Sequence, residues 1–423
     1  MNKQNPSSDA LALHARYRGK VQLAPKVPVR SLEDFAIWYT PGVAEPCLAI
    51  HADPAQVWEL TNRGNSIAIV SDGTRVLGLG DIGPEAALPV MEGKALIFKL
   101  LGGVDAVPLV LDATAPDTFE VTVKALAPSF GGINLEDIAQ PRCFGLLERL
   151  RAELAIPVWH DDQQGTATVV LAAVHNALRI VGKSLPRVKI AMLGMGAANV
   201  ANYRLLKAAG ADPAAVVACD VNGALHRGRG DLEALAHVAP QWDICRESNA
   251  EGITGGAAEA IRGADVLIAF SRPGPGVIRP EWIAGMARDA IVIAGANPVP
   301  EIWPPEAHAA GARIVGTGRS DFPNQVNNAL AFPGIFRGVL DVRARAISDE
   351  MAIAAALELA RCAELRGLRE VHLLPTLDET EVPPRLAVAT GIAAQKAGLA
   401  QRPGTPEELR ARAERAIHEA QKL

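Results

Sequence analysis

The chain has 423 residues, 49% hydrophobic and 21% charged, values that suit a soluble globular protein long enough to bury two cores. A formal net charge of −5 provides no basic field for nucleic-acid backbones or an anionic membrane face, so neither is an expected partner. Five scattered cysteines (Cys47, Cys143, Cys219, Cys245, Cys362), a polar opening and apolar runs too short to span a bilayer predict a cytoplasmic protein with reduced thiols.

From about Ser66 to Ala113, the apolar runs SIAIVSDG, ALIFKLLGG and AVPLVLDA alternate with turns rich in Gly, Pro and Asp. That rhythm predicts an α/β unit. A strand from Ile156 ends in the charged segment HDDQQGTA, and a helix is expected over 166–180. Beyond Val188 the runs VKIAML, AVVACD, ADVLIAF, AIVIAGA and ARIVGTG, mostly spaced for crossover helices, predict buried parallel strands. The fold class is therefore α/β: an N-terminal α/β domain over 1–160, a Rossmann-type doubly wound parallel sheet over 161–390, and a helical tail over 391–423. Within the tail, Thr405, Pro406 and Glu408 signal the start of a last helix. Its stripe of Leu409, Ala413, Ala416, Ile417 and Ala420 is expected to pack on its own subunit, with a dimer contact as the alternative.

VKIAMLGMGAANVANYRLLKAAG reads as strand, glycine turn and helix. Gly194 and Gly196 allow close approach of a pyrophosphate to the backbone, and a helix starting at Ala197, Ala198 and Asn199 presents free N–H groups to it. Asn199 stands where Gly or Ala is usual. Asp220 closes the next strand at the distance of an adenine ribose, which favours NAD, while Arg227 and Arg229 could hold the 2′-phosphate of NADP. The expected cofactor is NAD, with NADP as the alternative.

Two acidic pairs stand out, Glu136-Asp137 in FGGINLEDI and Asp161-Asp162 in VWHDDQQGTA. Hard carboxylate oxygens without clustered Cys or His suit Mg2+ or Mn2+ rather than Zn2+. Lys94 sits among apolar residues, where a neighbouring carboxylate tunes proton transfer. Taken alone, Glu136-Asp137 also reads as the acidic start of a helix, Lys94 as a lysine with a buried stem, and Tyr39 in WYTPGVAEPC as a packing residue.

Together, YTPGVAEPC, SDGTRVLGLGDIGPEAALPVMEGKA, FGGINLEDI, HDDQQGTA, ANPVPEI and TGRSDFPNQVNNALAFPGIFRG resemble the short bacterial malic enzymes, in the same order, from about His14 to Leu399. The resemblance implies a malic N-terminal domain, a dinucleotide-binding domain and a homodimer or higher homo-oligomer. Tyr39 and Lys94 correspond to the family's catalytic pair, Asp161 to the partner of the lysine, and Glu136, Asp137 and Asp162 to its metal ligands. Asn297 and Asn328 match substrate-side asparagines, Asn297 also facing the cofactor, and Asn327 is their neighbour. Arg75 resembles an arginine that holds the substrate carboxylate in larger relatives. Gln164, in place of a histidine, and Asn199 depart from the family pattern. The implied reaction is oxidation and decarboxylation of L-malate to pyruvate and CO2. A dehydrogenase that does not decarboxylate and a catalytically silent dinucleotide-binding regulator are the rival readings.

Overall fold

The computed structural model describes residues 6–113, 115–238 and 240–422, so the first five residues of the polar opening lie outside the described residues. Four parallel strands form a first sheet: β1 (Ser66–Ser71), β2 (Asp105–Val110), β3 (Gly132–Leu135) and β4 (Val158–His160), in the order β2-β1-β3-β4. Every residue of β1, β3 and β4 is buried, as expected of parallel strands covered on both faces.

The run ALIFKLLGG is helical up to Gly102. It forms the end of a helix, Pro84–Gly102, that crosses from β1 to β2. Ala87, Met91, Lys94, Ala95, Phe98 and Gly102 make up its buried face, a helical spacing that takes Lys94 inside and leaves Lys99 to reach Asp105 at 2.7 Å. The helix stops at Gly103, whose φ of +63° is a left-handed cap.

A second sheet contains β5 (Ile190–Leu193), β6 (Val216–Asp220), β7 (Gly223–Ala224), β8 (Val266–Ala269), β9 (Ala290–Ala294) and β10 (Ala312–Thr317). Its order is β10-β9-β8-β5-β6-β7, antiparallel only between β6 and β7. The five apolar runs correspond to β5, β6, β8, β9 and β10. Because β6 and β8 flank β5 on opposite sides, the chain reverses direction across the sheet at β5, the point where doubly wound sheets open a crevice. Alternate residues of β5 face separate cores: Ile190 and Met192 join the apolar cluster that continues to Ile67 and Trp159, while Ala191 and Leu193 pack on the opposite face.

Between the sheets runs the helix Thr166–Val181, which packs on Ala197–Ala208 and Asp349–Leu365. Later helices return to the first sheet, where the ring of Phe98 lies 4.5 Å from that of Phe332 and 5.3 Å from that of Phe336. The last helix, Pro406–Ala420, opens with a capping box in which Thr405 Oγ1 accepts from Glu408 N–H, and it buries Leu409, Ala413, Ile417 and Ala420 within the chain. By contrast, Leu32–Trp38 and Ala44–Ala52 bury none of their residues. Among the described residues no helix is long and apolar enough to cross a membrane.

Candidate active site

β1, β3 and β4 run parallel, with Leu135 beside His160, so the residues after β3 and β4 emerge together at the C-terminal end of the strands. Glu136 and Asp137 leave β3 there, and Asp161 and Asp162 leave β4 through a π-helical turn, Asp161–Gly165. One carboxylate oxygen each from Glu136, Asp137 and Asp162 lies within 4.8 Å of the others. Asp137 holds its neighbours through the backbone: its N–H donates to Asp162 Oδ2 at 2.9 Å and its carbonyl accepts from Arg75 N–H at 3.0 Å. The φ of +53° at Asp137 is unusual for an aspartate and belongs to this arrangement.

Lys94 reaches the acids from the helix face. Its Nζ lies 2.6 Å from Glu136 Oε1, bonds Asp161 Oδ2, and sits 4.5 Å from the ring centre of Phe332. Burial works against its charge, but Asp161, Glu136 and Asp162 outweigh burial and hold the ammonium above the usual lysine range. Glu136 is pushed well above the carboxylate range by burial and then by Asp162, Asp161 and Asp137, against the pull of Lys94. Burial and Asp162 push Asp137 up to about 7.

Asp137 Oδ2 is buried without a hydrogen-bond partner. Four close carboxylates facing one buried lysine leave negative charge uncompensated, a donor set that fits a hard divalent cation.

These groups open into a cavity of about 1250 Å³ whose other wall is the crevice beside β5. Gly194, at a φ of +83°, passes so close to β8 that a Cβ would lie 2.6 Å from the carbonyl oxygen of Phe270. A Cβ on Gly196 would meet nothing within 4 Å, which leaves the start of helix Ala197–Ala208 open to a bulky group. That opening fits a dinucleotide pyrophosphate. Arg75, Lys94, Glu136, Asp137, Asp162, Gly194, Gly196, Ala197, Ala198, Asp220, Asn297, Asn327 and Asn328 all line the one cavity. Asn327 spends its side-chain oxygen locally, accepting from Ala329 N–H at 2.9 Å.

Three residues expected at the site do not line the cavity. Asp161 lies behind Lys94, fully buried. Asn199 turns inward: its Nδ2 donates to the carbonyls of Leu193 at 3.0 Å, Gly194 at 2.8 Å and Ile268 at 3.3 Å, so it ties the glycine turn to β5 and β8. Tyr39 is 69% exposed at the end of Leu32–Trp38 and is not part of the cavity lining.

Gln164, the other departure, accepts from His160 N–H at 2.9 Å and closes the π-helical turn. Further residues support the site without having stood out in the sequence. Asn134 Nδ2 donates to Glu136 Oε2 at 2.9 Å, and Trp159 Nε1 to Asp161 Oδ1 at 3.0 Å. Glu301, fully buried and raised in pKa by burial, accepts from Ser271 N–H at 2.8 Å and Ala296 N–H at 3.1 Å, joining the loops after β8 and β9 beside Asn297. Alternation along the short strands would have flagged Asn134 as a polar residue in a buried run; nothing local marks Glu301.

Family models for the malic enzyme N-terminal domain and the malic enzyme NAD-binding domain match residues 18–151 and 311–396. The bifunctional malic/malolactic enzyme of Bacillus subtilis is 47% identical over 95% of this chain and 96% of its own length. The NAD-dependent malic enzyme of Geobacillus stearothermophilus is 46% identical over 92% of this chain and 79% of its own. The crystal structure of malic enzyme from Pyrococcus horikoshii superposes with a TM-score of 0.94 at 51% identity, covering 99% of this chain and 97% of that one. Matched over both of its sheets and nearly its whole length, the chain belongs to the malic enzyme family.

Proposed function

We propose that this cavity oxidises and decarboxylates L-malate to pyruvate and CO2, with Lys94 and Tyr39 handling the protons and Glu136, Asp137 and Asp162 holding Mg2+ or Mn2+. The observation that carries this reading is the meeting of the three carboxylates, Lys94 and the glycine turn in one cavity. A dinucleotide held at the Gly194–Gly196 turn would supply the hydride acceptor, and a divalent cation held by Glu136, Asp137 and Asp162 would supply a Lewis acid for the substrate's oxygens. Lys94 would pass its own proton to Asp161, which it contacts, as it takes the proton of the malate hydroxyl during oxidation, and the two transfers would run backwards in the reverse direction. Asn297 and Asn328 orient the substrate with neutral groups, Asn327 shapes the turn that carries Asn328, and Arg75 pairs with a carboxylate. After CO2 leaves, Tyr39 donates a proton to the methylene carbon.

Tyr39 does so from a second copy of the chain. The support for this is the outward exposure of Phe35, Ile37, Trp38, Tyr39 and Leu48 on helices that bury nothing in their own chain. The reading therefore includes a homodimer. It also takes the division into 1–160, 161–390 and 391–423, with NAD as cofactor in the cytoplasm.

Partial reactions test the two proton roles. Tyr39→Phe is expected to keep Mn2+-dependent reduction of oxaloacetate and to lose solvent hydrogen exchange into the pyruvate methyl group, whereas Lys94→Ala loses the reduction. Normal methyl exchange in folded Tyr39→Phe would reject the role given to the tyrosine.

A further inference from the structure

At the end of β6 an ion cluster closes on itself. Arg229 is 8% exposed, and its N–H groups are all engaged. Its Nε donates to Asp231 Oδ1 at 2.7 Å, and one terminal nitrogen bridges Asp231 Oδ2 at 2.7 Å and Asp220 Oδ2 at 2.8 Å. The other terminal nitrogen donates to Asp220 Oδ1 at 3.0 Å and lies 3.3 Å from the carbonyl oxygen of Gly223. A guanidinium chelated along both edges has no fork left for another anion.

Asp220 is fixed by the same contacts. Its Oδ1 also accepts from Asn222 N–H at 2.8 Å, so the free acceptor capacity remaining on this carboxylate is on Oδ2. The residue lines the cavity on the side of the glycine turn, where Gly194 N–H bonds the carbonyl of Cys219 at 2.8 Å. One arginine between two aspartates leaves the cluster with a net charge of −1. That charge accepts from a ribose diol and repels a ribose phosphate.

We propose that Asp231, acting through Arg229, sets the cofactor specificity of this chain: it locks Asp220 as an anionic acceptor for the adenosine ribose of NAD and withholds Arg229 from the 2′-phosphate of NADP. The proposal rests on the cavity being the dinucleotide site. Asp231 and Arg229 are positioning residues; Asp220 is the group that meets the ribose. Arg227, the other arginine near β6, does not line the cavity, and its Nε donates to the carbonyl of Arg246 at 3.1 Å.

The test is direct titration of the full chain with NADH and with NADPH, in the wild type, Asp231→Asn and Arg229→Lys. Asp231 has a side chain 49% exposed, so the Asn variant is expected to fold. Wild type binds NADH more tightly. In Asp231→Asn the NADH/NADPH affinity ratio falls by about fivefold, the upper end of what a half-exposed ion pair contributes, chiefly through tighter NADPH binding. Arg229→Lys, a point charge that cannot chelate two carboxylates, weakens NADH and narrows the ratio as well. A purely structural role would weaken both cofactors together and leave the ratio fixed. An unchanged ratio in Asp231→Asn, or a wild type that prefers NADPH, overturns the proposal while leaving the cavity reading intact. Failure of the wild type to bind either cofactor overturns the cavity reading and the proposal with it.

Discussion

Trp159 Nε1 donates to Asp161 Oδ1, the carboxylate oxygen opposite the one that bonds Lys94. The proposed proton relay is therefore braced from behind by a fully buried indole. Trp159→Phe keeps an aromatic ring and removes the donor, leaving a buried carboxylate oxygen unsatisfied. A hydrogen bond to a charged group contributes about 1.5–3 kcal/mol, so malate turnover is expected to fall by about tenfold or more. Steady-state kinetics beside a thermal melt checks this; a folded variant with wild-type kcat removes Trp159 from the relay.

The proposed metal site has a pH signature. Asp137 is raised to about 7 in the fold by burial and by Asp162, against an unfolded value of about 3.9. Its folded form thus keeps a proton that the unfolded chain releases, a contribution to metal-free stability that is complete below the unfolded value and lost as pH rises through about 7. A cation needs the ionised carboxylate and must displace that proton at lower pH. The rise in Tm on adding Mn2+ is expected to be full near pH 8 and to shrink steadily below about pH 7, and Asp137→Asn to abolish it. An equal Mn2+ shift at about pH 5.5 and about pH 8 counts against the assignment.

Exposure of Tyr39 leads to a complementation experiment. Tyr39→Phe and Lys94→Ala are each expected to be inactive in malate turnover. Mixed, dissociated and re-formed, they are expected to recover about one quarter of the wild-type rate, since half of random dimers are mixed and each has one intact site. No recovery in demonstrably mixed dimers would assign Tyr39 to its own chain's cavity.

Asn199 offers a stability test of the glycine turn. Asn199→Ala leaves the carbonyls of Leu193, Gly194 and Ile268 without this donor and Asn202 without its acceptor. Unpaired buried polar groups cost about 1–3 kcal/mol. Urea unfolding is expected to shift by an amount in that range, with weaker NADH binding because the turn is less rigid. Unchanged unfolding and unchanged NADH affinity would contradict the bracing role.

Five strands of the second sheet were legible because buried parallel strands are apolar on both faces, and the glycine turn because few residues tolerate its backbone. ALIFKLLGG was not legible as a helix: a short apolar run has no period of its own, and only the longer span from Pro84 sets Lys94 on the buried face. Glu136 and Asp162 were separate acidic signals whose meeting depends on the β3–β4 register, which local pattern does not encode. Asn199 looked like a defect in a cofactor motif, yet its side chain packs away from the cavity. Arg229 looked like a candidate phosphate ligand, and only its two aspartate partners reveal that its donors are already engaged. Tyr39 stood out through a family motif, while its exposure in the fold is not marked by anything local in the sequence.

In the proposed mechanism one cavity couples malate oxidation to loss of CO2 through a cation held by Glu136, Asp137 and Asp162. The most direct measurement follows NADH and CO2 together from L-malate, after chelation and again after adding back Mn2+, in the wild type and in Asp162→Asn. Equal amounts of NADH and CO2, formed only with Mn2+ and at a strongly raised Mn2+ requirement in Asp162→Asn, are the predicted result. NADH without CO2, turnover that survives chelation, or an unchanged Mn2+ requirement in the folded variant would contradict it.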